Sequence, residues 1–243
     1  MAQPAPENPE TAIPEIKSII SSGNPELDSR MGSGIPVGSL VLIEGSSGAG
    51  KSVLSQQMTW GALQDHFTVT VFTSENNVKS YVRQMQRIDL DVLDHLLLTR
   101  LRVYPMALSR LGAEAPARLL SVMELHAEQD LIVVDSFTAA IVNAADHEDV
   151  LRFFEGCQRL CATGATVIIT LHPDSVESDL LSPIRAMCDA HLQLSTEQDG
   201  QRLVKMLRVA KVRGASSVTG AVVGFEVEPG WGMRVIPISK ARG

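Results

Sequence analysis

The chain has 243 residues, 44% of them hydrophobic and 20% charged, with a formal net charge of −7. That length supports one large α/β domain rather than two. No apolar run approaches the roughly 20 residues needed to cross a bilayer and no basic-then-apolar leader opens the chain, so a cytoplasmic protein without a membrane span is expected. The acidic balance argues against a sequence-independent grip on nucleic acid, and three scattered cysteines do not make a disulfide framework.

Residues 1–12, mostly Ala, Pro, Gln, Glu and Asn without periodicity, read as a disordered leader, and a single domain is expected over residues 13–240. Ile13 to Ile20 fits a short helix or an extended arm, and the turn residues Gly34-Ile35-Pro36-Val37-Gly38-Ser39 place a tight loop ahead of a strand. That strand, Val41-Leu42-Ile43-Glu44, runs into Gly45-Ser46-Ser47-Gly48-Ala49-Gly50-Lys51-Ser52, and an amphipathic helix follows directly. Strand, Gly-x-x-x-x-Gly-Lys-Ser and helix together make a phosphate loop. Glycines let successive N–H groups turn inward around a phosphate chain and the helix N-terminus adds its positive end. Lys51 reaches the β- and γ-phosphates, and the Ser52 hydroxyl ligates Mg²⁺. Gly45 through Val53 are therefore the expected ATP-binding residues.

A β-branched strand, Thr68 to Thr73, leads to Ser74-Glu75-Asn76. The next helix sets Val78, Tyr81, Val82 and Met85 opposite Lys79, Arg83 and Arg87, a basic stripe that is either solvated or a partner contact. Leu98 to Tyr104 reads as a strand and Ala115 to His126 as a helix. Leu131-Ile132-Val133-Val134-Asp135 then reads as a strand buried on both faces and ending in an acid. Ligands of parallel sheets sit beyond the carboxyl ends of the strands, so Asp135 is positioned to hold the Mg²⁺ shell opposite Ser52. Cys157 and Cys161 share a helical face with Val150, Phe153 and Phe154 and are small core residues rather than metal ligands. A buried strand, Ala165 to Leu171, ends at His172-Pro173-Asp174. Ala190 to Ser195, Arg202 to Val212, Val222 to Val227 and Met233 to Ile238 suggest an antiparallel extension of the sheet.

Four features in that order resemble the RecA/KaiC superfamily and, within it, the KaiC-like ATPases: the Gly34–Ser39 lead-in, the phosphate loop, the strand reaching Glu75, and Lys211-Val212-Arg213-Gly214 late in the chain. The resemblance implies a RecA-like P-loop NTPase fold of class α/β, with a mainly parallel central sheet flanked by helices. It also implies that Glu75 orients and deprotonates the attacking water and that His172 senses the γ-phosphate. Lys211 and Arg213 would reach a neighbour's γ-phosphate across a subunit interface. Read without it, Glu75 begins a loop, His172 is a loop histidine and the two cations sit on an edge strand. Asn76 stands where clock-type members carry a second glutamate, which bears on turnover.

Thr73-Ser74-Glu75-Asn76, Leu101-Arg102-Val103-Tyr104-Pro105 and Thr170-Leu171-His172-Pro173 look like the single-domain members that serve the archaellum motor. That likeness implies a nucleotide-dependent homo-oligomeric ring, a hexamer. Its partners are the motor or secretion ATPase and a polytopic membrane platform protein, and ATP acts as a switch with weak hydrolysis. Two alternatives stand beside it. A DNA-handling recombinase needs phosphate-contacting loops over His172 to Ala186, where Asp174, Glu177 and Asp179 face Arg185 alone. A KaiC-like autokinase needs a Ser/Thr pair where this chain reads Ile184-Arg185-Ala186-Met187.

Overall fold

The structure is a computed structural model that describes residues 18–199, 202–214, 219–229 and 232–237. The leader expected over residues 1–12 lies outside the described residues. In chain order the elements are β1 (Ile19–Ile20), α1 (Pro25–Arg30), β2 (Ile35–Pro36), β3 (Leu40–Gly45), α2 (Lys51–Gln64), β4 (Val69–Thr73), α3 (Val78–Arg87), α4 (Leu93–Leu97), β5 (Leu101–Pro105), α5 (Ala115–Glu124), β6 (Leu131–Asp135), α6 (Thr138–Val142), α7 (His147–Ala162), β7 (Thr166–Leu171), α8 (Ser178–Met187), β8 (Ala190–Asp199), β9 (Arg202–Val212), β10 (Val222–Glu228) and β11 (Gly232–Ile236).

A nine-stranded sheet in the order β11-β10-β9-β8-β3-β7-β6-β4-β5 runs through the molecule. From β8 to β5 neighbouring strands are parallel, and β9, β10 and β11 add on antiparallel. The strand carrying the phosphate loop is central, with Ile43 opposite both Thr170 of β7 and Leu192 of β8. A strand with neighbours on both edges and helices on both faces is apolar throughout, which explains the unbroken run Leu40 to Ile43. Alternation divides the core. Val41 and Ile43 pack with Leu54, Met58 and Ala62 of α2; Leu40 and Leu42 pack on the other face with Phe153, Phe154 and Cys157 of α7. Cys157, Cys161 and Cys188 are buried free thiols, and burial pushes the first well above the ordinary thiol range.

Three local differences from the sequence reading have physical causes. The strand expected from Leu98 begins at Leu101, because Leu93–Leu97 forms α4 and Thr99 turns the chain through a left-handed φ of 58°. The segment from Ser178 to Met187 is a helix despite Pro183, since Leu180, Leu181 and Ile184 fall on one face and bury against α7 and the sheet. Ile19 and Ile20, on the arm left open as helix or extended chain, form β1 and pair with Ile35 and Pro36 of the lead-in loop.

Candidate functional site

The phosphate loop leaves β3 at Gly45 and enters α2 at Lys51. Two of its glycines, Gly48 at φ 76° and Gly50 at φ 107°, hold the left-handed conformation that turns the loop's N–H groups inward. Close approach fixes Gly45 instead, because a Cβ there would lie 2.5 Å from the Leu194 carbonyl oxygen. The Lys51 ammonium folds back over the loop and donates to the carbonyls of Gly45 at 2.8 Å and Ser46 at 2.9 Å. Burial lowers its pKa, while Glu75, Asp135 and Asp174 push it back up. The amine is thus held in place by groups a phosphate chain can replace.

Beside it, Ser52 Oγ donates to Asp135 Oδ1 at 3.2 Å and Thr170 Oγ1 donates to the same oxygen at 2.7 Å. Asp135 is 1% exposed, and among the described residues its second oxygen, Oδ2, has no hydrogen-bond partner. Burial raises its pKa, outweighing the Thr170 and Ser52 hydrogen bonds. A buried carboxylate with an unused oxygen beside a loop hydroxyl is a donor set that suits a hard divalent cation. Ser52 and Asp135 are the residues that would hold Mg²⁺, which would there neutralise charge on the phosphates.

His172 follows β7, next to the β6 end that carries Asp135. Its Nδ1 lies 3.1 Å from Lys51 Nζ. The lysine donates, so the ring accepts at Nδ1 and carries its hydrogen on Nε2. Burial first, then Lys51, hold His172 below the ordinary imidazole range, which favours the neutral ring. Glu75 is exposed at the end of β4 and lines the same cleft, of about 360 Å³, together with Lys51, Ser52, His172, Lys205 and Val227.

Lys211 and Arg213 lie elsewhere. Lys211 Nζ donates to the Cys188 carbonyl at 2.5 Å and to that of Ala186 at 3.2 Å. Arg213 pairs with Asp189 at 3.0 Å. Both cations sit at the carboxyl end of α8, where a helix dipole favours positive charge. They lie at the opposite end of β9 from the phosphate loop. The segment required as DNA loops by the recombinase alternative is a helical turn at Pro173–Ser175 followed by α8.

Residues 20–240 match the ATPase family described as KaiC. The chain belongs to the KaiC-like ATPases. Within them it falls in the FlaH branch. It is 32% identical over 229 residues to the archaeal flagellar ATP-binding protein FlaH of Sulfolobus acidocaldarius, covering 92% of this chain and 99% of that one. The FlaH of Methanocaldococcus jannaschii is 31% identical over 218 residues, covering 86% and 91%. The crystal structure of flagellar accessory protein FlaH from Methanocaldococcus jannaschii superposes with a TM-score of 0.83 at 26% identity, covering 91% of this chain and 99% of that chain. A KaiC-like protein of Pyrococcus horikoshii shares the fold, with a TM-score of 0.73 at 18% identity, covering 90% and 99%. Membership in this ATPase family carries nucleotide binding with it.

Two features of this KaiC-like site escaped the sequence reading. Lys205 of β9 reaches the phosphate loop and donates to the Gly48 carbonyl, while the Phe225 ring stands 3.2 Å from where a Cβ on Gly50 would lie. The second is an ion network centred on the buried Glu44. Arg185 of α8 donates to both oxygens of Glu44, at 3.0 and 2.9 Å, and Gln193 donates at 2.8 Å. His191 Nε2 lies 2.8 Å from Glu44 Oε1. Burial alone raises the Glu44 pKa, but the His191 ring 2.8 Å away, with the hydrogen bonds from Arg185 and Gln193, outweighs it and brings the carboxyl down to about 2. A glutamate in an apolar strand was the visible signal, since a charge there needs a partner.

Proposed function

We propose that this chain is the ATP-binding accessory component of an archaellum-type motor. It binds Mg-ATP at Gly45 to Val53, and its ATP state controls assembly and docking. The observation that carries the nucleotide reading is the convergence of Lys51, Ser52 and Asp135, with one Asp135 oxygen that has no hydrogen-bond partner among the described residues. The motor assignment is supported by relatives named archaeal flagellar ATP-binding protein FlaH, matched over nearly their whole length. Glu75 orients the attacking water from the rim of the cleft, and neutral His172 reports the third phosphate through its Nε2 hydrogen.

Lys211 and Arg213 complete a neighbouring subunit's site in a homo-oligomeric, hexameric ring, so the isolated chain hydrolyses ATP slowly and the nucleotide acts as a switch. The ring docks on the motor ATPase and the polytopic membrane platform, peripheral to the membrane. Among the described residues no helix is long and apolar enough to span a bilayer. The test is size-exclusion chromatography with Mg-ATP, Mg-ADP or no nucleotide, on wild type, Lys51→Ala and Glu75→Gln, with phosphate release alongside. Wild type binds Mg-ATP and Lys51→Ala does not; Glu75→Gln keeps binding, strengthens the ATP-dependent oligomer and loses turnover. Equal ATP binding by wild type and Lys51→Ala refutes the site, and nucleotide-indifferent monomers refute the switch.

A further inference from the structure

At the carboxyl end of the sheet, the loops after β4, β6 and β7 are joined by a run of hydroxyl contacts. Ser74 Oγ donates to the Ser136 carbonyl at 3.0 Å and accepts from the Ser136 N–H at 3.2 Å. Ser136 Oγ lies 2.9 Å from Thr138 Oγ1 and accepts the Thr138 N–H at 3.3 Å. Thr138 Oγ1 in turn accepts the N–H of His172 at 2.9 Å. The His172 ring faces Lys51, and Ser74 immediately precedes Glu75, so the run ends at both groups assigned to the third phosphate.

Helix capping accounts for only one of these contacts, the Ser136 hydroxyl accepting the N–H of the first residue of α6. A Ser or Thr at the start of a helix ordinarily caps that helix. Here the N-cap position of α6 is held by Phe137, which makes no side-chain cap, and Thr138 follows as the first helical residue. The Thr138 hydroxyl instead binds a backbone 34 positions away, and Ser74 binds one 62 positions away. Ser136 is 3% exposed, so water competes little for its hydroxyl.

We propose that Thr138, with Ser136 and Ser74, is a positioning residue of the nucleotide site: it ties the turn carrying His172 to the loop carrying Glu75, so that both groups keep one spacing around the third phosphate. The inference rests on the roles given to Glu75 and His172 above. It has a specific signature. ADP lacks the third phosphate and is held by the phosphate loop, so loosening the relay weakens ATP and leaves ADP alone.

The test uses Thr138→Val, which keeps the branched side chain and deletes the hydroxyl. In the full chain, calorimetric titration with Mg-ATP and Mg-ADP is expected to show ADP affinity held within about twofold. The ratio of ATP to ADP affinity falls about fivefold, the effect of one lost hydrogen bond. Thr138→Ser restores it. His172 is also followed by NMR titration in an environment that includes Lys51, Glu75 and Asp174. Its midpoint moves back toward that of an ordinary imidazole in Thr138→Val as the turn loosens. If Thr138→Val does not fold, Ser74→Ala cuts the run at its other end and is read the same way. With the fold intact, an unchanged ratio, equal weakening of both nucleotides or an unmoved His172 midpoint overturns the relay. Wild type and Lys51→Ala binding Mg-ATP equally overturns the nucleotide site itself, a separate outcome.

Discussion

Replacing Glu44 by glutamine measures how strongly the ion network centred on it holds the fold. Glu44 is 2% exposed, although the side chain of its partner Arg185 is 38% exposed. Its carboxyl titrates at about 2 against an ordinary 4.5. At about 1.4 kcal/mol per unit, the ionised form stabilises the folded chain by about 3 kcal/mol. A carboxyl with a depressed folded pKa contributes that stability above its unfolded value and loses it as pH falls through the folded one. About 1 kcal/mol is gone at pH 4 and about 2 kcal/mol at pH 3. In Glu44→Gln this component is absent at every pH, and Arg185 and His191 face a neutral amide. Urea unfolding followed by circular dichroism at pH 7, 5, 4 and 3 reads the difference. Wild type is expected to exceed the variant by about 3 kcal/mol at pH 7 and by only about 1 kcal/mol at pH 3. An equal gap at pH 7 and pH 3 refutes the assignment of this stability to an ionised Glu44.

Two further substitutions probe the loop and the distant cations. Gly45→Ala places a Cβ 2.5 Å from the Leu194 carbonyl oxygen, so the loop must shift away from β8. Stability is expected to drop by about 1–3 kcal/mol in urea unfolding, with Mg-ATP binding lost in calorimetry. Arg213→Ala removes an ion pair whose arginine side chain is 58% exposed, so thermal unfolding of the isolated chain moves by less than about 1 kcal/mol. Phosphate release by the assembled protein falls by about 10³ if the residue serves a neighbour's site. A similar small effect on both readouts limits Arg213 to holding α8.

The parts of the fold legible in the sequence are those where one residue type has one physical job. Four aliphatics before Asp135, standing behind a phosphate loop, read as a strand covered on both faces, and β6 is buried throughout. The phosphate loop was legible because strand, glycines, Lys51 and helix stand in a fixed order, and the structure keeps that order from Leu40 to Gln64. Helix α8 was not assigned from the sequence, since Pro183 interrupts its pattern, and contact with α7 shows that Leu180, Leu181 and Ile184 form a face. Long-range pairs were invisible for a related reason. Nothing local to Glu44 names Arg185, 141 residues away, and nothing local to Thr138 names His172.

The late cations show how a single irregularity redistributes function along a strand. Lys205 and Lys211 are six apart on β9, so strict alternation puts both on one face of the sheet. The pairing of β8 with β9 instead shifts register between His191 and Leu192, where His191 faces Lys211 but Leu192 faces Val209. The extra residue, Ala210, reverses the alternation. Leu207 and Val209 pack on the α2 side and so does Val212, three residues on, while Lys211 turns to the carboxyl end of α8. Lys205 thereby stays over its own phosphate loop. Lys211 lies on the opposite face and, counted on the paired strand from Thr196 to His191, roughly 17 Å further along, at about 3.3 Å per residue. A lysine side chain spans about a third of that distance, so within one chain the Lys-x-Arg pair cannot serve the phosphate loop that precedes it. Any contact it makes with a nucleotide must therefore be with the site of another chain, which makes assembly a condition of that contact rather than a consequence of it.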